Sequence, residues 1–453
     1  MEGRRYKPHV ALYAGSGWRH LIPCLELAKR LCTQHGFSII FITPDKYAPQ
    51  KQDYIKQVHS VCVDMLVLEE TTENKVEGFL KLFLYLNVPL CAYIVDNLWA
   101  TTREMVAHHL NVGSALKIPT YVFFGYSASY LCLSFLKDMN RHQQGDIPGL
   151  RFVTASDIPG GLLEDKFPLE HILPVSELIG VRGIIVNSCR DLESSQIGAL
   201  ESSQPPLMSI YSIGPLLPES EPPGSDSAKQ KCEKWLEKKP KDSVLFVFLG
   251  PALLSVEQIQ ELAFGLEGSG QKFIWVLKAG AKSDYSLLEM VRGEAQVHSV
   301  SELLPFGFEE RVRDQGLVLD SAPPLGFLLA HQSIGGFLTH CGWNSTLQSI
   351  GNSKPMIAWP QFENEQRLNA LVLVKEMKIA VEVQKGMDRL VSRSEVERCV
   401  GVLMGGGGEG KDMRMRVSEL AAKVRNATTE EGSSRQALDS LAALFMSDMT
   451  LRG

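Results

Sequence analysis

Twice along this chain, short apolar runs alternate with stretches whose apolar residues recur at helical spacing, and a proline-rich break separates the two series. That alternation constrains the fold more than any other feature, because strand–helix repeats of this kind build βαβ units and a doubly wound parallel sheet. The first series opens with a strand from His9 to Ala14. Gly15-Ser16-Gly17 then breaks the chain ahead of a helix from about Leu21 to Cys32. Further strands are expected at Phe37–Thr43, Met65–Leu68, Ala92–Val95 (ending at Asp96), Thr120–Phe124 and Gly183–Asn187. Helices are expected at Glu77–Asn87 and around Met105, Val106 and Leu110. Between Leu207 and Ala228, Pro215, Pro218, Pro222, Pro223 and Gly224 mark a linker. The pattern restarts at Val244–Phe248 and continues through helix Val256–Leu266, strand Phe273–Leu277, a polar loop near Ala279–Ser301, and strands Leu317–Leu319, Ile334–Leu338 and Ala380–Val383. A last helix, about Ser434–Met446, carries Ala437, Leu441, Leu444 and Phe445 on one face.

A chain of 453 residues exceeds one ordinary domain, and 44% hydrophobic with 22% charged residues suits a globular protein. A net charge of −6 supplies no basic field, so nucleic acid is not an expected partner. No apolar run reaches the roughly 20 residues of a membrane span, and the polar start Met1–Pro8 has no signal-peptide core. Nine scattered cysteines without C-x-x-C spacing argue for a reducing compartment, with the cytoplasm as the expectation, and against a zinc site.

A polar cluster runs over Thr339–Gln348, where the strand Ile334–Leu338 passes into a helix. Asn344, Ser345 and Thr346 are good N-cap types. A helix start with small polar side chains attracts phosphate, and His340 adds a further donor. An ordinary capped helix after a strand would look much the same. The density of polar groups around Gly342, and a second cluster at Glu365-Gln366, favour a site. In the first half, His20 and Asp96 each follow a strand, so both open on the edge where such sheets bind ligands. An Asp on the far imidazole nitrogen fixes the tautomer and stabilises the cation formed on proton uptake. Alone, either residue reads equally as structure: a turn histidine and a helix cap.

His340-Cys341-Gly342-Trp343-Asn344-Ser345, followed by Pro355–Pro360 and Glu365–Ala370, resembles the signature box of plant secondary-product glycosyltransferases, the UDP-sugar-dependent family 1 enzymes of GT-B fold. The resemblance implies two Rossmann-like doubly wound domains facing across a cleft. Residues 1–215 would bind the acceptor, 216–240 link, 241–430 bind the nucleotide sugar, and 431–453 form a helix packed back on the first domain. His20-Leu21-Ile22-Pro23 matches the element of the general base, and Val95-Asp96 that of its partner. The implied reaction moves a sugar, glucose by the Gln366 match, from UDP to a hydroxyl of a small phenolic or other apolar plant metabolite, with inversion. It needs no metal or other cofactor, and a monomer is expected. Donor binding falls by resemblance on Ala322, His340, Trp343, Asn344, Ser345, Gln348, Glu365 and Gln366, with Ser127 and Gly250 nearby; Ser127 reads equally as a helix cap. Trp343 reads also as a core aromatic, and Trp359 more strongly so.

The chain departs from the pattern at several points. The box's opening Trp-Ala-Pro-Gln is Ser321-Ala322-Pro323-Pro324, so the uracil-stacking ring is missing. The ribose-gripping Glu is Gln348, the Gly-Ser on the diphosphate is Gly250-Pro251, and Arg19 stands where a Gly precedes the base. Two alternatives therefore stand beside the glucosyltransferase: a divergent transferase with another donor or a carbon acceptor, and a non-catalytic relative that binds a small molecule.

Overall fold

The computed structural model describes residues 7–15, 17–43, 49–62, 65–69, 75–85, 88–96, 111–138, 147–153, 157, 180–202, 208–218, 225–250, 254–277, 299–362, 365–387 and 389–450. The helix expected around Met105, the polar loop 279–298 and Pro251 lie outside these residues.

The chain forms two compact units, Met1–Pro223 with Lys423–Gly453, and Gly224–Ala422. The first holds a seven-stranded sheet: β1 (His9–Tyr13), β2 (Ser38–Thr43), β3 (Met65–Glu69), β4 (Leu90–Asp96), β5 (Thr120–Phe124), β6 (Gly183–Val186) and β7 (Ser209–Ser212), in the order β3-β2-β1-β4-β5-β6-β7. The second holds six strands: β8 (Val244–Phe248), β9 (Lys272–Val276), β10 (Gly316–Leu319), β11 (Ile334–Thr339), β12 (Met356–Ala358) and β13 (Ala380–Glu382), in the order β10-β9-β8-β11-β12-β13. All pairings are parallel. Counted from its own first strand, each sheet runs 3-2-1-4-5-6, the doubly wound order, and the first adds β7 as a seventh strand at its edge. Strands β2, β4, β5 and β11 are buried along their whole length, which is why they read as continuous apolar runs rather than alternating ones. The strand order reverses between β1 and β4 in one sheet and between β8 and β11 in the other. Those two crevices are where ligands bind in such sheets.

Three local features differ from the sequence expectations. The helix after β1 spans Trp18–His35 rather than starting at Leu21. Gly17 caps it, and its carbonyl accepts the N–H groups of both His20 and Leu21 at 2.9 Å. Trp18 packs on the core of the first unit, which pulls its turn into the helix and places His20 in the first turn. Within the stretch read as linker, Ser209–Ser212 pair with β6 as the edge strand, and Asp226–Leu236 form a helix capped by Ser225 Oγ. After β11 the cap is Gly342 and not Asn344 or Ser345.

The helix Ser433–Thr450 belongs to the first unit. Leu438, Leu441, Ala442 and Phe445 join that unit's core. The Phe445 ring lies 5.0 Å from Tyr121 and 5.9 Å from Phe37, centre to centre. Beyond this apolar face, Arg182 donates to the buried Asp448 carboxylate at 2.6 Å.

Candidate active site

In the first unit, β1 and β4 are paired in register from Val10–Ala92 to Tyr13–Val95, so the backbone leaves both strands side by side. Asp96 is the last residue of β4, and Gly15 N, just past β1, donates to its Oδ2 at 3.1 Å. His20 Nδ1 reaches the same oxygen at 2.8 Å. Both side chains are nearly sealed from solvent, 4% and 1% exposed, so little water screens the pair. Donation from Nδ1 to the carboxylate defines the neutral tautomer whose Nε2 lone pair can take a proton. Arg19 Nε donates to that Nε2 at 3.3 Å. Burial, then the negative charge of Asp96, push the neighbouring Cys24 thiol far above its ordinary value, which marks the surroundings as poorly solvating.

Close to the imidazole stands an aromatic group. Tyr126 meets His20 edge to face at 6.2 Å and contacts Phe124 at 5.5 Å and Tyr130 at 5.8 Å. Ser127 is buried between them, and its Oγ accepts Tyr130 N at 3.2 Å, so its hydroxyl caps the helix Ala128–Asp138. Glu193, which sequence reasoning did not identify, secures this turn. Its carboxylate accepts the N–H groups of Ala128 and Ser129 at 2.8 Å each, and the hydroxyls of Ser129 and Ser188. Burial raises its carboxyl above the usual range, and these hydrogen bonds oppose the rise.

The second unit repeats the switch-point construction with different chemistry. Thr339 of β11 is the register partner of Phe248 of β8, so His340 and Gly250 emerge together. Gly250 has φ +69°, and a Cβ there would stand 3.0 Å from the His340 ring; a Cβ on Gly342 would lie 2.6 Å from His340 Nε2. The ring is lodged between two positions that have no room for a side chain. Cys341 takes φ +65° to make this turn, with its N–H on Thr339 Oγ1 at 3.2 Å. Its thiol is buried, and burial pushes it far above the ordinary range, so it is no nucleophile.

The helix Trp343–Gly351 follows with no side-chain cap and no acidic residue in its first turn. Asn344 and Ser345 lie in that turn, where a helix directs N–H groups it cannot use itself. Asn344 and Gln348 share one face, both half-buried, while Trp343, Ser345 and Thr346 are buried. Asn369, also unforeseen, connects two parts of the site: its Nδ2 donates to Glu365 Oε2 at 2.6 Å and to Cys341 O at 2.9 Å. Gln366 Oε1 accepts Gln361 N at 3.1 Å and Phe362 N at 3.3 Å. Trp359 joins the core of the second unit.

Thus His340, Gly250, Asn344, Ser345 and Glu365 are held around one turn. Ala322 follows β10, an edge strand two places from β8, and its carbonyl accepts Ser225 N at 3.0 Å. Beside it Ser321 Oγ donates to Asp320 Oδ1 at 3.0 Å. His20, Asp96 and Ser127 belong to the first unit and the remaining candidates to the second.

The family model described as UDP-glucoronosyl and UDP-glucosyl transferase matches residues 223–420. Isoflavone 7-O-glucosyltransferase 1 of Glycine max is 32% identical, over 97% of this chain and 99% of that protein. The chain belongs to the UDP-glycosyltransferase family. Its fold is accordingly GT-B. A UDP-glucosyltransferase from Polygonum tinctorium capable of glucosylating indoxyl superposes with a TM-score of 0.83 at 28% identity, covering 98% of this chain and all of that one (100%). Phytolacca americana UGT2, solved with UDP-2-fluoro-glucose and pterostilbene, gives a TM-score of 0.79 at 29% identity, covering 97% and 100%. As a member of this family, with plant glucosyltransferases as relatives, the chain is a sugar-transferring enzyme of plant secondary metabolism.

Proposed function

We propose that this enzyme transfers glucose from UDP-glucose to a hydroxyl of a small aromatic acceptor, with inversion at the sugar carbon. The observation that carries the residue assignment is the 2.8 Å contact from His20 Nδ1 to Asp96 Oδ2 at the crevice between β1 and β4. His20 Nε2 takes the proton of the acceptor hydroxyl, and Asp96 stabilises the imidazolium. The acceptor oxygen forms its bond to C1 of the sugar as the bond from C1 to the phosphate oxygen breaks, and the electron pair leaves with UDP. The diphosphate, which gains charge in this step, is assigned to the first turn of Trp343–Gly351 with His340 and Gly250 beside it. Glu365 and Gln366 are assigned to the sugar hydroxyls. An aromatic acceptor fits the Phe124–Tyr126–Tyr130 group next to the base. The isoflavone named in the Glycine max relative, and the pterostilbene bound to the Phytolacca americana structure, support the same class.

The test is transfer from UDP-glucose to a panel of phenols, with products identified by mass, in the native enzyme and in His20→Ala. Turnover that survives the substitution would remove His20 from the role of base. Ser321 and Gln348 favour a second reading, a different nucleotide sugar as donor, so the panel includes other UDP-sugars. The enzyme is assigned to the cytoplasm, with which its nine free cysteines agree, and to a monomeric state, for which light scattering should return about the 50.2 kDa of one chain.

A further inference from the structure

One buried acid of the first unit has no part in the transfer as drawn so far. Glu193 is 1% exposed and lies beyond the end of β6. Phe124 and Val186 are register partners at the ends of β5 and β6, and Asn187 N donates to Phe124 O at 3.0 Å, so the two chains leave the sheet side by side. The Glu193 carboxylate ties them together. Its Oε1 accepts Ser129 N at 2.8 Å and Ser129 Oγ at 2.6 Å, and its Oε2 accepts Ala128 N at 2.8 Å and the Ser188 hydroxyl. Each oxygen thus faces one backbone N–H, which can only donate, and one hydroxyl. The helix Ala128–Asp138 has no acidic residue in its own first turn, so a charge from another element meets its positive end.

The turn fixed in this way, Gly125 to Ser127, leans on the start of Trp18–His35 at two points. Tyr126 meets His20 edge to face at 6.2 Å, and a Cβ on Gly125 would lie 4.0 Å from Pro23 Cγ. Asp96, which holds His20 Nδ1 at 2.8 Å, is itself the register partner of Phe123 on β5. One hydrogen bond at Nδ1 leaves the imidazole able to pivot about that contact, and the Tyr126 ring limits the pivot. We propose that Glu193 is a positioning residue for sugar transfer: by fixing the turn Gly125 to Ser127 it holds Tyr126 against His20 and keeps Nε2 aimed at the acceptor hydroxyl. This inference rests on His20 as the base, and it deepens that reading by naming the group that orients the ring from outside the pair.

The experiment centres on Glu193→Gln, whose NH2 group must meet Ala128 N–H or Ser129 N–H and so displaces the turn. It is assayed with UDP-glucose and the phenol that the native enzyme turns over fastest. The kcat should fall about 10²-fold, the effect expected of a misplacement of roughly 1 Å. The Kd of the phenol, measured by calorimetry, should change by less than about threefold. A loss confined to Kd with kcat kept would mean that Glu193 only shapes the pocket, and overturns the proposal. Tyr126→Leu supplies the second arm. If Glu193 acts through Tyr126, the double variant should be within about threefold of the slower single one, whereas losses that multiply overturn the proposal. Should Glu193→Gln fail to fold, Ser129→Ala/Ser188→Ala carries the test, since it strips both hydroxyls and keeps the carboxylate and both backbone N–H groups. Its kcat should fall about 10-fold, and an unchanged kcat overturns the proposal. Transfer that persists in His20→Ala strikes at the base assignment instead; the coupling between Glu193 and Tyr126 is read with His20 in place.

Discussion

Replacing Asp96 by Asn tests the proposed roles of His20 and Asp96 with little change of shape. The amide oxygen can keep the Gly15 N–H and the His20 Nδ1–H that Asp96 Oδ2 now accepts at 3.1 and 2.8 Å. The amide nitrogen then falls where Oδ1 lies buried with no hydrogen-bond partner among the described residues, at a stability cost of about 1–3 kcal/mol. The larger loss is electrostatic. With charge centres about 4 Å apart and an effective dielectric of about 20, the carboxylate stabilises the imidazolium by about 4 kcal/mol. Since each ~1.4 kcal/mol is a factor of ten in rate, kcat should fall by about 10²–10³. The KM for UDP-glucose should change by less than about threefold, because, Ser127 apart, every residue assigned to the donor's diphosphate and sugar belongs to the second unit. Initial rates of UDP release with a phenolic acceptor give both constants, and circular dichroism confirms the fold. A folded Asp96→Asn enzyme whose kcat stays within about threefold of the native value would refute the argument, for then no imidazolium forms in the rate-limiting step.

Gly342→Ala places a Cβ 2.6 Å from His340 Nε2 at an ordinary backbone conformation, so it should displace the ring and weaken UDP-glucose binding about 10-fold by calorimetry while the thermal midpoint moves little. Phe445→Ala removes a ring packed between Phe37 and Tyr121, and urea titration should show a loss of about 3–4 kcal/mol confined to the first unit. Glu261, Glu267 and Glu395 are held below the ordinary glutamate value of 4.5, first by hydrogen bonds from Arg393, Arg311 and Arg398 respectively. Folded values below unfolded ones mean stability that is present above pH 4.5 and lost as pH falls through the depressed values. The triple Gln variant should therefore unfold with a shallower dependence on pH in that acid range, and an unchanged acid limb would show these pairs to be inert.

Strands buried on both faces announced themselves as apolar runs, and with them came the two sheets and the crevice positions of His20, Asp96 and His340. The edge strand β7 was hidden, because Ser209-Ile210-Tyr211-Ser212 is short, half polar and followed by prolines. Glu193 gave no local signal either: the turn it secures lies 64 and 65 residues away, and only the fold brings Ala128 and Ser129 to it. Asn369 likewise reads as one more polar residue on a helix until Glu365 and Cys341 O are found at its amide. The Asn-Ser-Thr run suggested a side-chain cap. The structure instead caps with Gly342, because His340 occupies the space that a Cβ there would need. Arg19 was visible only as an oddity of the motif, and its contact with Nε2 needed coordinates.

The first unit is assembled from Met1–Pro223 and from Lys423–Gly453, with all of the second unit inserted between. On the ribosome, Phe37 and Tyr121 are therefore made long before the Phe445 ring that covers them. The half of the enzyme synthesised first is the one whose interior is closed last, so the second unit can mature ahead of it. Nascent chains stalled before residue 433 should expose that unfinished interior to chaperones and proteases while already holding the complete second unit.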